Sequence, residues 1–388
     1  FENALTAGLT SSGMNVLLLG PIPTPAVGLL TNSMRADLGI MISASHNEHS
    51  DNGIKFFGPD GYKLSDSVEL EIEALVSKGI GYVSPEDIGR AKRIDDGRYR
   101  YIERVKSSFP NQMRLDGLKV VIDCANGAGY KAAPEVLWEL GAEVIPVGVS
   151  PDGRNINLEC GSTSPTVAAE TVVAHGADLA ICLDGDADRV LIIDEYGRPI
   201  DGDQFLGMIG SRWFKNGNLV ENTLVSTVMS NMRLEAFLKQ EGIKLVRTSV
   251  GDRYVVERMR LNGFNLGGEK SGHVVMMDYA TTGDGLMAGL QFLAEMVRTN
   301  EVASVVGRPF DLAPQKTENI TYAGDKNPLD HPSIKKIISE AEKKISGFGR
   351  LLVRKSGTEK LIRIMVEAED ASVIDATMSP VVAAIKEL

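Results

Sequence analysis

The chain has 388 residues, 43% of them hydrophobic, and a formal net charge of −11. Such an acidic balance argues against general binding to nucleic acid or to anionic membranes, although local anion sites remain compatible with it. The length and hydrophobic content predict a globular protein with about two to four domains.

The first region alternates helices with short strands. The pattern predicts a helix to about Ser12, a strand over 15–19, a helix to about Met34 and a strand over 38–42. This alternation is typical of a parallel sheet covered by helices. The first five residues resemble the interior of a helix, so we expect a segment before them.

Two further regions repeat the layout with little similarity of letters. The second has predicted strands over 116–124, 143–147 and 178–183 and a helix over 132–140. The third has predicted strands over 223–229 and 243–247, a helix over 233–240 and a turn at 251–253. The order changes after Pro309, where a helix over 333–345, strands over 350–354 and 361–367 and a last helix from about Ala371 follow.

This order predicts an α/β protein. We expect three similar α/β units, whose sheets are mixed and mostly parallel, followed by a small C-terminal α+β domain. The predicted domain boundaries are 1–112, 113–216, 217–312 and 313–388.

The cysteines predict a reducing compartment. Cys124, Cys160 and Cys182 show no CxxC spacing, and two of them lie in or beside apolar runs. This is typical of reduced core residues, so we expect a cytoplasmic protein. Apolar runs fall short of the roughly 20 residues needed to cross a bilayer, and we expect neither a membrane nor a nucleic-acid partner.

A candidate metal loop, Asp184-Gly185-Asp186-Ala187-Asp188-Arg189, follows the apolar run 178–183. Three carboxylates on alternate positions repel one another, and their oxygens suit Mg²⁺ or Ca²⁺. An EF-hand is disfavoured, because Arg189 stands where that loop needs glycine and a strand is predicted over 190–194. An acidic turn without metal is the alternative. Asp201-Gly202-Asp203 is interpreted as a solvated turn.

Ser45 stands in the polar loop after the strand over 38–42, with His46 beside it and Lys55 shortly afterwards. A serine at a strand end can carry a phosphoryl group when a metal ion and a base assist the transfer. An ordinary turn or helix-capping serine is the alternative. His46 is interpreted as an orienting residue rather than as a base.

Glu269, Ser271 and His273 lie in a glycine-rich stretch over 267–273. Glu269 and Ser271 present an acceptor and a donor suited to sugar hydroxyls or an amine, and His273 can exchange protons. A plain glycine-rich hairpin is the alternative. The stretch over 281–285 is predicted to cap the next helix.

A fourth polar loop contains Arg354, Ser356, Gly357 and Thr358. A guanidinium, two hydroxyls and the N–H groups around a glycine form an anion nest of the kind that holds a phosphate. An ordinary basic hairpin is the alternative. Because α/β units place ligands at the carboxyl ends of their strands, we expect the four loops to share one pocket.

Together the loops resemble the motifs of the α-D-phosphohexomutases, and the likeness runs through essentially the whole chain. The motifs lie at 42–47 with 51–57, 184–189, 268–273 and 354–359, and those at 51–57 and 355–359 favour the branch that acts on glucosamine phosphates. The resemblance implies a four-domain enzyme that interconverts hexosamine 6-phosphate and 1-phosphate through a phosphoserine and a bisphosphorylated intermediate. In that branch the product feeds UDP-N-acetylglucosamine and cell-wall synthesis.

The resemblance also implies roles for single residues. Ser45 would be the phosphoserine, and its phosphate would join Asp184, Asp186 and Asp188 in binding one Mg²⁺ per chain. Lys55 and His273 would serve proton transfer. The substrate contacts would be Arg189, then Glu269 and Ser271 at the sugar hydroxyls, and Arg354, Ser356, Gly357 and Thr358 at the phosphate that does not react. Hexose 1,6-bisphosphate would be the activator, and we expect small sugar phosphates as substrates and a monomer or homodimer.

The chain departs from the family pattern in its loops and at its start. Glu48 and Lys360 stand where the family commonly has proline, so we expect altered loop rigidity with the chemistry intact. The family's opening segment is absent from the sequence, so we expect the first domain to lack a strand and a helix and the activity to be low. Two alternatives stay open: a phosphomannomutase or phosphoglucomutase, and a catalytically silent sugar-phosphate sensor.

Overall fold

The computed structural model describes residues 1–79, 81–322, 327–356 and 360–387. The chain forms two compact units: unit 1 comprises residues 1–229 and 241–309, and unit 2 comprises residues 230–240 and 310–388. In the described ranges, no helix combines the length and the apolar character required to span a membrane. The domain boundaries given above stay predictions.

The helices of the described chain are α1 (Glu2–Ser11), α2 (Thr24–Ser33), α3 (Asp66–Val76), α4 (Gly97–Ser107), α5 (Ala132–Glu139), α6 (Thr166–His175), α7 (Gly202–Lys215), α8 (Met232–Gln240), α9 (Asp252–Asn262), α10 (Gly285–Thr299), α11 (Ala303–Val306), α12 (Pro332–Ile345) and α13 (Ser372–Lys386). The strands are β1 (Val16–Leu18), β2 (Gly39–Ile42), β3 (Ile54–Phe57), β4 (Ala91–Arg93), β5 (Lys119–Asp123), β6 (Glu143–Val147), β7 (Leu179–Leu183), β8 (Val190–Asp194), β9 (Thr223–Thr227), β10 (Lys244–Thr248), β11 (Leu266–Gly268), β12 (Val274–Met276), β13 (Gln315–Thr321), β14 (Gly349–Lys355) and β15 (Leu361–Ala368).

Two sheets of unit 1 have the same topology. Their strand orders are β6-β5-β7-β8 and β10-β9-β11-β12. In each sheet the first three strands are parallel, and the last is antiparallel to its neighbour. The repeated α/β layout predicted for these two regions is therefore confirmed, and their parallel strands bring polar loops to one edge of each sheet.

The first region differs from the other two. Its strands form two separate pairs, β1 with β4 in parallel and β2 with β3 antiparallel. A cavity of about 1170 Å³ is lined by apolar residues of β1, α2 and β2 and extends to Ser45. Among the described residues of this region, the predicted single parallel sheet is thus replaced by two two-stranded sheets.

The core of unit 1 supports the metal loop from behind. All five residues of β7 are buried, as is every residue of α10 from Gly285 to Met296. α10 is thus buried on every side although it carries Gln291 and Glu295, and Gly289 lets it approach Ile181 of β7, since a Cβ there would lie 3.0 Å from the Ile181 side chain. The α10 N-terminus meets the metal loop, where Gly285 N–H donates to the Ala187 carbonyl at 3.0 Å.

Two local predictions were wrong and two are confirmed. Asp201-Gly202-Asp203 is not a solvated turn: the Asp201 side chain caps α7 by accepting from Asp203 N–H, and Asp203 is fully buried. The predicted turn at 251–253 instead begins α9. The stretch over 281–285 does cap a helix, since Asp284 accepts from Met287 N–H at 2.9 Å. The three cysteines are buried free thiols.

Unit 2 is a small α+β domain, as predicted. Its sheet has the antiparallel order β13-β15-β14. Alternate residues of the central strand, Ile362, Ile364 and Val366, are fully buried and join α12 and α13 in one apolar cluster. The cluster members alternate along the strand, as expected when helices cover one of its faces, while Met365 and Glu367 of the opposite face are buried as well.

Candidate active site

The metal loop connects two antiparallel strands, β7 and β8, whose last pair is Leu183 with Val190. Asp184 and Asp186 are fully buried, and Asp188 is 3% exposed. One carboxylate oxygen from each lies within 4.8 Å of the others. Ala187 has a left-handed φ of 60°, and its N–H donates to the Asp184 carbonyl, so the loop turns tightly enough for the carboxylates to converge.

Three buried carboxylates so close together need positive charge. Burial and the neighbouring Asp188 and Asp186 raise the pKa of Asp184 well above its usual range. Burial acts in the same direction on Asp188, but His273 and Lys55 outweigh it and hold its pKa well below the usual range. Oδ1 of Asp188 is buried and has no hydrogen-bond partner among the described residues. An all-oxygen cluster with an unsatisfied ligand atom fits a divalent cation.

Ser45 lies directly against this cluster. Its hydroxyl is 3.2 Å from Asp184 Oδ2 and 3.3 Å from Asp186 Oδ1. Its φ is 57°, a left-handed conformation that costs a residue other than glycine about 1–3 kcal/mol and persists only where neighbours enforce it. Part of that restraint comes from Ser43, whose hydroxyl accepts the Ser45 N–H at 2.8 Å.

Lys55 brings a cation to the same carboxylates from β3. Its ammonium forms a salt bridge with Asp186 and lies 3.3 Å from Asp188 Oδ2. Burial acts to lower the pKa of Lys55, but Asp188 and Asp186 outweigh it and raise the pKa above the usual range. Burial and Arg189 lower the pKa of His46, so its ring is neutral near pH 7.

His273 approaches the cluster from the β11–β12 hairpin. Its Nδ1 is 3.6 Å from Asp188 Oδ1, and its Nε2 is 3.6 Å from Asp252 Oδ2. Gly283 N–H donates to Nε2 at 3.1 Å, so a neutral ring carries its proton on Nδ1, facing Asp188. Burial acts to raise the pKa of Asp252, but His273 and Lys63 outweigh it and lower the pKa to about 2.

The other predicted sugar contacts flank this histidine. Glu269 accepts from Gly251 N–H at 3.0 Å, and Ser271 is exposed at the tip of the hairpin. Arg189 N–H donates to Asp184 Oδ1 at 3.0 Å. The hairpin is tied to the metal loop, because Val190 N–H donates to the Gly272 carbonyl at 3.1 Å.

The predicted phosphate loop belongs to unit 2. Arg354 lies near the end of β14, and Ser356 is buried, with its N–H donating to the Leu361 carbonyl at 2.9 Å. Gly357 and Thr358 lie outside the described residues. That this loop shares a pocket with the other three stays a prediction.

Sequence reasoning missed three residues at this site. The Thr24 hydroxyl donates to Asp186 Oδ2, the Asn157 amide donates to the Ser45 carbonyl, and Asp252 lies beside His273. Thr24 and Asp252 follow β1 and β10, so the rule that strand ends carry ligands offered a signal for both. Asn157 lies in a long loop after β6, where the sequence offered no such signal.

Comparison with known proteins identifies the family. Models of the phosphoglucomutase/phosphomannomutase alpha/beta/alpha domains I, II and III match residues 1–81, 99–197 and 201–310, and the model of the C-terminal domain matches 317–384. Phosphoglucosamine mutase of Ruegeria sp. (strain TM1040) is 67% identical over 386 residues, an overlap that covers all of this chain and 86% of the relative. Phosphoglucosamine mutase of Roseobacter denitrificans is 66% identical with the same coverage. The chain belongs to the phosphoglucosamine mutase family.

Solved structures agree with this family's fold. A phosphoglucomutase/phosphomannomutase family protein from Burkholderia thailandensis has a TM-score of 0.81 at 21% identity, covering all of this chain and 86% of that one. N-acetylphosphoglucosamine mutase from Aspergillus fumigatus, solved with GlcNAc-6P and magnesium, has a TM-score of 0.71 at 18% identity, covering all of this chain and 98% of that one. At such identities the likeness concerns the four-domain phosphohexomutase fold, and it confirms the predicted fold class.

Proposed function

We propose that the protein interconverts glucosamine 6-phosphate and glucosamine 1-phosphate, with Ser45 as the phosphoryl carrier. The observation that carries the proposal is the convergence of the Ser45 hydroxyl with the buried carboxylates of Asp184 and Asp186, which follow it by 139 and 141 residues. Identities of 61–67% to proteins named phosphoglucosamine mutase support an amino-sugar phosphate over other hexose phosphates.

The proposed reaction has two transfers. The sugar 1-hydroxyl gives its proton to a base and attacks the Ser45 phosphate, the phosphorus–oxygen bond to Ser45 breaks, and the Ser45 oxygen takes up a proton. The bisphosphorylated sugar then turns around. The Ser45 hydroxyl gives its proton to a base and attacks the 6-phosphate, the bond from phosphorus to the sugar 6-oxygen breaks, and that oxygen takes up a proton. The phosphoserine is thereby restored.

Asp184, Asp186 and Asp188 are the proposed ligands, with a Ser45 phosphate oxygen, for one Mg²⁺ per chain. When bound, Mg²⁺ neutralises charge on the transferring phosphoryl group. Lys55 adds a positive charge on the same side and, with His273, is proposed to move protons between the sugar hydroxyl and solvent. Lys55 forms salt bridges with Asp186 and Asp188, and His273 faces Asp188, so both side chains lie at the carboxylate cluster beside Ser45.

The sugar would be held by Arg189, Glu269 and Ser271, which lie on the two loops joined at Val190 and Gly272. The distal phosphate would be held by Arg354, Ser356, Gly357 and Thr358 of unit 2. The Arg354 guanidinium and the hydroxyls of Ser356 and Thr358 would donate hydrogen bonds to the phosphate at either end of a bisphosphorylated sugar, which the turnaround requires. Hexose 1,6-bisphosphate is the proposed activator, because it can phosphorylate Ser45. We place the protein in the cytoplasm, where its product, glucosamine 1-phosphate, would supply UDP-N-acetylglucosamine for cell-wall synthesis.

The test is ³¹P NMR of the protein with Mg²⁺, a trace of hexose 1,6-bisphosphate and glucosamine 6-phosphate, with glucose and mannose 6-phosphates in parallel samples. We expect the glucosamine 1-phosphate signal to appear fastest of the three products. Ser45→Ala should abolish it, while Ser50→Ala, an exposed serine in the same loop, should keep it. Equal rates for all three sugars would overturn the proposal that glucosamine 6-phosphate is the preferred substrate. Activity in Ser45→Ala would overturn the proposal that Ser45 carries the phosphoryl group.

A further inference from the structure

The serine loop, residues 43–53 between β2 and β3, is held in place by a residue from the loop after β6. Ser45 keeps a left-handed φ of 57°, and its Ser43 restraint acts only on the N–H side. On the carbonyl side, Asn157 Nδ2 donates to the Ser45 carbonyl at 3.0 Å and to the Asn47 carbonyl at 2.7 Å. One side-chain amide therefore clamps the main chain on both sides of His46.

Asn157 is itself rigidly placed. It is 6% exposed, it has a left-handed φ of 57°, and its backbone N–H donates to the Ala125 carbonyl at 2.9 Å. Both clamped groups are carbonyl oxygens, so only the NH₂ end of the amide can face them. Its Oδ1 is buried, and the part of the chain that the structure describes offers it no hydrogen-bond partner. A buried oxygen without a partner lowers the stability of the folded protein, so stability alone does not explain an asparagine at this position. A buried polar atom of this kind points to a functional role.

The clamp lies at the junction of the serine loop and the metal loop. A Cβ added to Gly185 would lie 2.7 Å from Asn157 Nδ2 and 2.7 Å from the Ser45 carbonyl. Glycine at 185 thus lets the metal loop pass directly under the clamp. Gly185 is fixed in turn, because its carbonyl accepts from Ala128 N–H at 2.7 Å. Asn157 therefore contacts the main chain of the residue whose hydroxyl lies against Asp184 and Asp186.

We propose that Asn157 is a positioning residue that holds the Ser45 hydroxyl in place against the carboxylates of the metal loop. It acts through the main chain of the serine loop, 112 residues earlier in the sequence. Its consequence for catalysis rests on the function proposed above. The reaction rate depends steeply on the position of the reacting group, because a misplacement of about 1 Å can lower the rate about 10²-fold.

The structural test is hydrogen–deuterium exchange of peptides covering residues 43–47. Asn157→Ala removes both donors, and Asn157→Asp keeps the side-chain size but sets carboxylate oxygens against two carbonyls. Asn155→Ala is the matched control, since Asn155 lies in the same loop and donates to the Ser150 carbonyl instead. We expect exchange about tenfold faster in both Asn157 variants and unchanged in the control. Exchange that is unchanged, or equally fast in the control, overturns the proposal.

The catalytic test measures kcat, KM and Mg²⁺ affinity for the same variants. We expect kcat to fall about 10²-fold in Asn157→Ala, with the KM for glucosamine 6-phosphate and the calorimetric Kd for Mg²⁺ within about threefold of the parent. A kcat at the parent level, or an equal loss in Asn155→Ala, overturns the role. Inactivity of the parent protein with every sugar would instead contradict the proposed function, while the exchange experiment still decides the positioning.

Discussion

The Thr24 hydroxyl donates a hydrogen bond of 2.7 Å to Asp186 Oδ2, 162 residues later in the chain. Thr24 N–H also donates to the Asp186 carbonyl at 2.9 Å, and the threonine is fully buried. The first residue of α2 thereby fixes both the main chain and the carboxylate of one proposed metal ligand. Hydrogen bonds of this kind orient a ligand before the metal arrives, and the partial positive charge of a helix N-terminus favours the carboxylate.

Thr24→Val should weaken cation binding without removing any ligand. Valine keeps the shape of threonine but cannot donate, so the Asp186 carboxylate loses its orienting bond, and outer-shell losses of this type cost about 10–100-fold in metal affinity. Titration calorimetry with Mg²⁺ measures the change. Thr24→Ser, which keeps the hydroxyl, is the control and should stay close to the parent. An unchanged Kd in Thr24→Val would contradict the orienting role.

Mg²⁺ should raise the thermal stability of the parent protein. A ligand that binds only the folded state adds about 3 kcal/mol at 100 times its Kd. Asp184→Asn should remove this gain and should also raise the melting temperature in EDTA, because asparagine carries no charge to be desolvated on burial or repelled by Asp188 and Asp186, the causes that raise the pKa of Asp184. Asp95→Asn changes a carboxylate that is 90% exposed and should keep the full Mg²⁺ response. A Mg²⁺ shift that persists in Asp184→Asn would place the cation elsewhere.

The sequence predicted the two loops of the candidate site but not the side chains that connect them. The metal loop and the serine loop were predictable because each is a local pattern, a strand followed by a polar turn. The bonds of Thr24 and Asn157 join positions 162 and 112 residues apart, and only the packed chain shows which side chains meet. Asp203 was misassigned because the same letters describe a turn and a helix cap, and burial of the following helix decides between them.

Gly127→Ala should destabilise the fold at the metal loop. A Cβ at 127 would lie 2.1 Å from the Gly185 carbonyl oxygen, and a backbone atom on a packed loop cannot yield as a side chain does. Overpacking of this kind costs about 1–3 kcal/mol or more, measured as the free energy of unfolding in urea. Gly8→Ala is the control, because no described atom beyond the neighbouring residues and backbone of α1 lies within 4 Å of its added Cβ, and alanine there should stabilise by about 0.5–1 kcal/mol. Equal effects at both positions would refute the argument.

Asp284 should make the free energy of unfolding fall as the pH rises from about 4 to about 6. Burial raises the pKa of this carboxyl from 3.8 to about 6, against the opposing hydrogen bonds from Met287 N–H and from the Tyr101 hydroxyl. The folded state therefore holds a proton that the unfolded state has released, so the stabilisation is complete below about pH 4 and is lost above about pH 6. The shift corresponds to about 3 kcal/mol. Urea denaturation across this range should show the parent losing about that much relative to Asp284→Asn, which keeps the α10 cap without titrating.

Tyr101→Phe separates this effect from other titrating groups. The Tyr101 hydroxyl donates to both Asp284 oxygens at 3.0 Å, and burial and Asp284 raise the tyrosine pKa well above its usual range, so it stays a donor throughout. Removing that donor takes away a bond that favours the ionised carboxylate, and the pKa of Asp284 should rise further. The loss of stability should then move to higher pH in Tyr101→Phe and disappear in Tyr101→Phe combined with Asp284→Asn. A stability difference between the parent and Asp284→Asn that stays constant from pH 4 to 7 would show that Asp284 is ionised in the folded protein throughout.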